Sequence, residues 1–197
     1  MAVVWLAFIL AGLAGFEFLV TAVSTTDVRH VVVDDGPIEL VQLALGLLTA
    51  GFLIDAGRVA PNIRDIAWIF ALMALFASAR ELDHAFDGLG VPGSYRVVTF
   101  PLGLGALAVA VRARELLPDQ IRAAFMTPAT GLLAAGFFVV VVYAQIIGQK
   151  ELWQGTLGVA YLRPVKDLVE ESAELVGYFL LAWGAVTARL SWHRSSS

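Results

Sequence analysis

Long apolar stretches separated by short polar ones recur along this chain. Each contains about 20 residues, enough for a helix to cross a hydrocarbon core of roughly 30 Å, and none alternates polar and apolar positions as a membrane β-strand does. The pattern therefore predicts an all-α fold, a polytopic transmembrane bundle of six helices forming a single transmembrane domain over residues 1–197. The predicted spans cover residues 2–24, 37–59, 62–86, 95–111, 129–148 and 164–190.

The composition supports this class. The chain is 59% hydrophobic and 15% charged, whereas soluble domains carry about 25% charged residues. There is no cysteine, which excludes disulfides, thiolate metal sites and cysteine nucleophiles. The mild net charge of −4 gives no reason to expect a nucleic-acid partner. The expected partner is the lipid bilayer, and an oligomer is compatible with the sequence.

An even number of spans places both termini on one side of the membrane. Seven of the 13 basic residues fall on that side, and one of the other six, Arg80, belongs to a charged helix end. The rule that cytoplasmic loops are enriched in Lys and Arg therefore favours cytoplasmic termini. Most acidic residues fall on the opposite face, which predicts a polar site near the non-cytoplasmic side.

The most unusual stretch ends the third predicted span. Arg80, Glu81, Asp83, His84 and Asp87 arrive within eight residues, directly after an apolar run. On a helix, Glu81 and His84 would share a face, because residues three apart are neighbours. Charge at this density near a membrane is costly without partners, so it indicates a functional site.

Acidic residues also lie too deep in their spans to act as helix caps. Glu17 is about six residues inside the end of the first span, and Glu174 is about ten residues past Pro164, or ~9 Å and ~15 Å along their helices. We therefore expect both side chains to face the bundle. In the sixth span, one helical stripe contains Asp167, Glu170, Glu171, Glu174 and Tyr178.

Three functions fit this pattern. In the first, a divalent metal, Zn, Fe or Mn, is the cofactor, and no other cofactor is predicted. Its ligands would be Glu39, Glu81, His84, Glu171 and Glu174. The metal would activate a water, with Glu81, His84 and Glu174 as catalytic residues, on a lipid head group or lipid-linked substrate. The Glu81-x-x-His84 spacing is similar to half of the pattern in di-iron carboxylate bundles, but the second such motif is missing.

In the second function, the carboxylates form a proton or cation path. In the third, arginines pair with the acids and hold the helices in register. All three use the same polar site, in which Arg80 is the counter-ion. Besides the metal ligands, the predicted site contains Glu17, His30, Arg80, Asp83, Asp87, Glu170 and Tyr178.

Three short motifs resemble those of uncharacterised bacterial multi-pass membrane proteins with acidic helix ends. They are Asp35-Gly36-Pro37-Ile38-Glu39, Arg80-Glu81-Leu82-Asp83-His84 and Glu170-Glu171-Ser172-Ala173-Glu174. The resemblance implies location in the bacterial inner (plasma) membrane and implies no activity.

Overall fold

A computed structural model describes residues 2–25, 36–82, 86 and 93–192. Its helices are α1 (Ala2–Thr25), α2 (Pro37–Val59), α3 (Arg64–Arg80), α4 (Arg96–Arg112), α5 (Leu117–Phe125), α6 (Pro128–Ile147), α7 (Lys150–Leu157) and α8 (Arg163–Trp192). Short 3-10 turns, Pro61–Ile63 and Gly158–Ala160, precede α3 and follow α7. A π-helical turn, Val139–Tyr143, interrupts α6.

These helices confirm the predicted all-α transmembrane bundle. Five of them, α1, α2, α3 with its 3-10 turn, α6 and α8, are long and apolar enough to cross a membrane. The remaining predicted span, residues 95–111, corresponds to α4, which is followed by α5 after a bend of 104°. The multi-pass architecture thus follows from the hydrophobic pattern.

Helix α8 is the centre of the bundle. It packs against α2 on one side and α6 on the other, α2 packs against α3, and α3 packs against α4. Tyr178 and Leu181 of α8 are fully buried, as are Leu53 of α2 and Leu133 of α6. Any polar group on the inner face of α8 is therefore enclosed by helices.

Glycines bring the backbones of α6 and α8 close together. A methyl group on Gly136 would lie 2.8 Å from the carbonyl oxygen of Gly177, and one on Gly184 would lie 2.9 Å from the backbone nitrogen of Leu133. In α2, a methyl group on Gly46 would overlap Ser78 of α3, 2.0 Å away. Small residues permit such close packing within membranes.

Helix α1 lies at the edge of the bundle. None of its residues is buried, and it contacts α8 through aromatic rings. Phe8 stacks on Trp183 with centroids 5.7 Å apart, and Trp5 meets the same ring edge-on at 5.0 Å. The N-terminus of α1 is thus level with the second half of α8.

The end of the bundle where α1 begins and α8 ends is held by polar contacts. Arg189 of α8 pairs with Asp55 of α2. Gln120 of α5 accepts hydrogen bonds from the N–H groups of Asp65 and Ile66 and donates one, of 2.7 Å, to the Asp65 carboxylate. Helix α5 therefore caps the start of α3, where backbone N–H groups lack helical partners.

Candidate functional site

Polar side chains from four helices meet at the other end of the bundle. The chain delivers them from the first turns of α2, the last turn of α3, the last turn of α6 and the first half of α8. They are Glu39, Gln42, Arg80, Glu81, Gln145, Glu171, Glu174 and Tyr178.

Arg80 joins α3 to α8. Its Nη2 atom lies 2.7 Å from Oε1 of Glu174 and 3.3 Å from Oε1 of Glu81. Both carboxylates are well buried, with side-chain exposures of 5% and 7%, whereas Arg80 is 33% exposed. One guanidinium therefore serves two enclosed carboxylates, and charge-assisted hydrogen bonds of this kind are the stronger ones.

Neutral donors complete the environment of the two carboxylates. The Tyr178 hydroxyl donates to Oε1 of Glu81 at 2.8 Å, and Nε2 of Gln145 donates to Oε1 of Glu174 at 2.9 Å. We call these five residues, Arg80, Glu81, Gln145, Glu174 and Tyr178, the arginine cluster. Because α3, α6 and α8 each contribute, the cluster depends on the packed bundle.

Glu81 follows Arg80, the last residue of α3, and so lies just outside the membrane-spanning helix. Burial raises the pKa of the Glu81 carboxyl above its ordinary value, outweighing Arg80 and the hydrogen bond from Tyr178, which lower it. The nearby negative charge of Glu39 raises the pKa further. Protonated Glu81 is therefore favoured relative to a carboxyl in water.

A second group lies beside the arginine cluster. Nε2 of Gln42 donates to the Glu171 carboxylate at 3.0 Å and to the Glu171 backbone carbonyl at 3.1 Å. Gln42 is fully buried, and its Oε1 atom has no hydrogen-bond partner among the described residues. We call this group the Gln42–Glu171 pair.

The start of the acidic stripe on α8 has a different environment. Lys166 binds Glu170 at 2.6 Å and Asp167 at 2.9 Å, and Arg163 lies 3.4 Å from Asp167. These acids are partly exposed and neutralised by their own helix. The stripe thus divides into an outer salt-bridged part and an inner part, Glu171, Glu174 and Tyr178, within the bundle.

The structure brings together part of the predicted site. Arg80, Glu81, Glu174 and Tyr178 are in direct contact, and Glu39 and Glu171 lie at the same end of the bundle. The predicted residues His30, Asp83, His84 and Asp87 lie outside the described residues. Among those that are described, no three His, Cys, Asp or Glu side chains are arranged to hold a metal ion.

Two features differ from the sequence-based interpretation. Glu17 was expected to face the bundle, but it is exposed on α1, which packs on α8 by another face. Helix α3 ends at Arg80, six residues before the predicted end, and Glu81 and Leu82 form a turn. An acid is disfavoured at a helix C-terminus, and here the Glu81 side chain is compensated by Arg80 and Tyr178.

Sequence reasoning also missed two functional groups, Gln42 and Gln145. Neither carries a charge or belongs to a motif. The available signal was an amide within an otherwise apolar span, which requires a hydrogen-bond partner inside the bundle.

The fold and the site define a class: a polytopic α-helical membrane protein with a buried network of carboxylates around one arginine. Comparison with protein-family models, curated proteins and solved structures gave no match for this chain.

Proposed function

We propose that the protein is a proton-coupled membrane transporter or channel, in which the arginine cluster binds and releases protons. The observation that carries this proposal is the excess of enclosed acids over cations. Glu81, Glu171 and Glu174 are buried or half-buried, and within the described part of the chain Arg80 is the one cation that binds any of them.

This excess of acids favours the binding of an exchangeable proton or cation at the site. Ionised carboxylates are expensive to enclose unless each is paired, and Arg80 is shared between two of them. A bound proton or cation would relieve the remaining negative charge. Acids that face the interior of membrane bundles often form such proton relays.

The hydrogen bonds provide a route for proton transfer between helices. Tyr178 can donate its proton to Glu81 and accept another, so α3 and α8 are linked through groups that exchange protons. Gln145 holds Glu174 without competing for a proton, since an amide does not titrate. A conformational change that separates α8 from its neighbouring helices would expose the arginine cluster to water on one side of the membrane.

The proposed setting is a bacterial plasma membrane with both termini in the cytoplasm. The early residues of α1 and the end of α8 lie at the end of the bundle away from the arginine cluster. This topology would place the arginine cluster near the non-cytoplasmic face.

Proton flux in liposomes tests the proposal. Purified protein is reconstituted with a pH-sensitive dye inside the vesicles, the membrane potential is clamped, and a pH step is applied outside. The wild type should dissipate the step faster than protein-free vesicles. Glu174→Gln should slow this flux by at least about tenfold, because glutamine cannot carry the proton.

The matched control is Glu151→Gln, which changes an exposed acid on α7 and should leave the flux unchanged. Wild-type protein that conducts no faster than empty vesicles would refute the proposal. So would undiminished flux in both Glu174→Gln and Glu81→Gln.

A second candidate function is the metal-dependent membrane enzyme acting on a lipid head group or lipid-linked substrate. The observation in its favour is that four predicted ligands, Glu39, Glu81, Glu171 and Glu174, lie at one end of the bundle, although no three of the described acids are arranged to hold a metal ion by themselves. His84 would complete the site. Metal analysis of the detergent-purified chain, with Glu81→Ala and His84→Ala as comparisons, tests it: one Zn, Fe or Mn per chain, lost in both variants, would favour the enzyme.

A further inference from the structure

We propose that the Gln42–Glu171 pair binds a hard metal cation, such as sodium or calcium, separately from proton binding at the arginine cluster. The inference goes beyond the proposed proton function and does not depend on it. It rests on one buried oxygen atom without a partner and on the negative charge around it.

The orientation of the Gln42 amide is fixed by its contacts. Nε2 reaches both the carboxylate and the backbone carbonyl of Glu171. Rotating the amide by half a turn would place Oε1 against that backbone carbonyl, and two acceptors cannot form a hydrogen bond. The nitrogen therefore faces Glu171, and Oε1 is left without a donor among the described residues.

This oxygen lies inside the bundle and among acids. Gln42 is 0% exposed, and its face of α2 packs against α3 and α8. One turn further along that face, Gly46 meets Tyr178 and Ser78, and one turn earlier lies Glu39, whose charge acts on Glu81. A buried acceptor without a partner costs free energy, and here a positive ligand would remove that cost.

Carboxylate and amide carbonyl oxygens are the ligands that hard cations prefer. Gln42 would supply its carbonyl oxygen, and Glu171 would supply a carboxylate oxygen and the compensating charge. Glu171 forms no ion pair within the described part of the chain. Glu39 is placed to contribute a further oxygen, because it lies three residues before Gln42 on the same helix.

Direct binding of radioactive sodium and radioactive calcium to the full chain in detergent tests this inference. Scintillation proximity would show saturable binding of one of the two ions, at about one ion per chain, and the ion that binds identifies the valence. Glu171→Gln and Gln42→Leu should each weaken the affinity by at least about tenfold, or 1.4 kcal/mol.

The matched control is Thr49→Val, which replaces a buried polar group two turns along α2 whose hydroxyl donates to Leu45. It should bind the ion as the wild type does. If Gln42→Leu does not fold, the result for Glu171→Gln tests the inference alone. The glutamine introduced at position 171 can still accept the hydrogen bond from Gln42, so this variant keeps the contact between α2 and α8.

Absence of saturable binding of both ions would overturn the inference, as would unchanged binding in Gln42→Leu and Glu171→Gln. Ion binding without proton flux in liposomes would refute only the proposed function. Proton flux without ion binding would refute only this inference.

Discussion

Glu81 lies just beyond the end of α3, with 7% of its side chain exposed, between Arg80 and Tyr178. The pKa of Glu81 in the folded chain is raised above its ordinary value of 4.5. Between pH 4.5 and the raised pKa, the folded chain therefore keeps a proton on Glu81 that the unfolded chain has released. Its contribution to the free energy of unfolding is therefore full below pH 4.5 and is lost as the pH rises through the raised pKa. Relative to Glu81→Gln, the wild type should lose stability as the pH increases.

Unfolding titrations in mixed micelles at several pH values measure this difference. Glu151→Gln, at an exposed position, should show no such dependence on pH. A wild type that gains stability over Glu81→Gln as the pH rises would mean that the pKa of Glu81 is lowered.

Charged residues were the ones whose environment the sequence indicated best. Glu81 and Glu174 were expected in one polar site because capping could not explain them, with Arg80 as their counter-ion, and the three side chains are in contact. Glu17 met the same criterion and yet lies on an exposed face. The sequence shows how far an acid lies from the end of a span. It does not show which face of the helix packs against the other helices, because that depends on how the helices are arranged.

At the scale of helices, the contact between α6 and α8 depends on glycine. A methyl group on Gly136 would lie 2.7 Å from Cγ of Leu181 and 2.8 Å from the carbonyl oxygen of Gly177. Gly136→Ala should therefore lower the free energy of unfolding by about 1–3 kcal/mol, because the helices must separate.

Gly131→Ala is the control on the same helix, since nothing lies within 4 Å of the added methyl group. It should be neutral or stabilising by up to about 1 kcal/mol, because alanine favours helix over glycine. Equal effects of the two substitutions in mixed-micelle unfolding would contradict the close contact.

Helices were predictable because the apolar stretches give their length. The starts of α2, α6 and α8 fall within one residue of the predicted spans, each beside a proline suited to the first turn. The end of α3 was less predictable, because the apolar pattern does not show at which residue of the following charged stretch the helix ends. Helix α5 lies outside the six predicted spans, and its Gln120 accepts hydrogen bonds from the first N–H groups of α3.

For the whole molecule, topology is testable because the chain has no cysteine. Single-cysteine variants Lys150→Cys and Ser197→Cys would be exposed to a membrane-impermeant maleimide in bacterial cells with a permeabilised outer membrane. We expect labelling of Lys150→Cys in intact cells and of Ser197→Cys only after lysis. The reverse result would place the arginine cluster at the cytoplasmic face.

In the molecule as a whole, the polar contacts between helices lie at the two ends of the bundle. Asp55 with Arg189 and Asp65 with Gln120 hold one end through paired groups. At the other end, the described residues enclose more acids than cations. The asymmetry of acidic residues in the sequence predicted the location of this second end. It did not predict the sharing of one guanidinium between two carboxylates, because that depends on how α3 and α8 each pack against α2.

A double-mutant cycle tests this sharing most directly. The free energies of unfolding of the wild type, Arg80→Gln, Glu174→Gln and the double variant are measured in mixed micelles. The 2.7 Å contact across α3 and α8 predicts a coupling energy of at least about 1 kcal/mol, with the double variant more stable than the sum of the single losses implies. Losses that add to within about 0.5 kcal/mol would show that Arg80 and Glu174 do not form the pair on which this account depends.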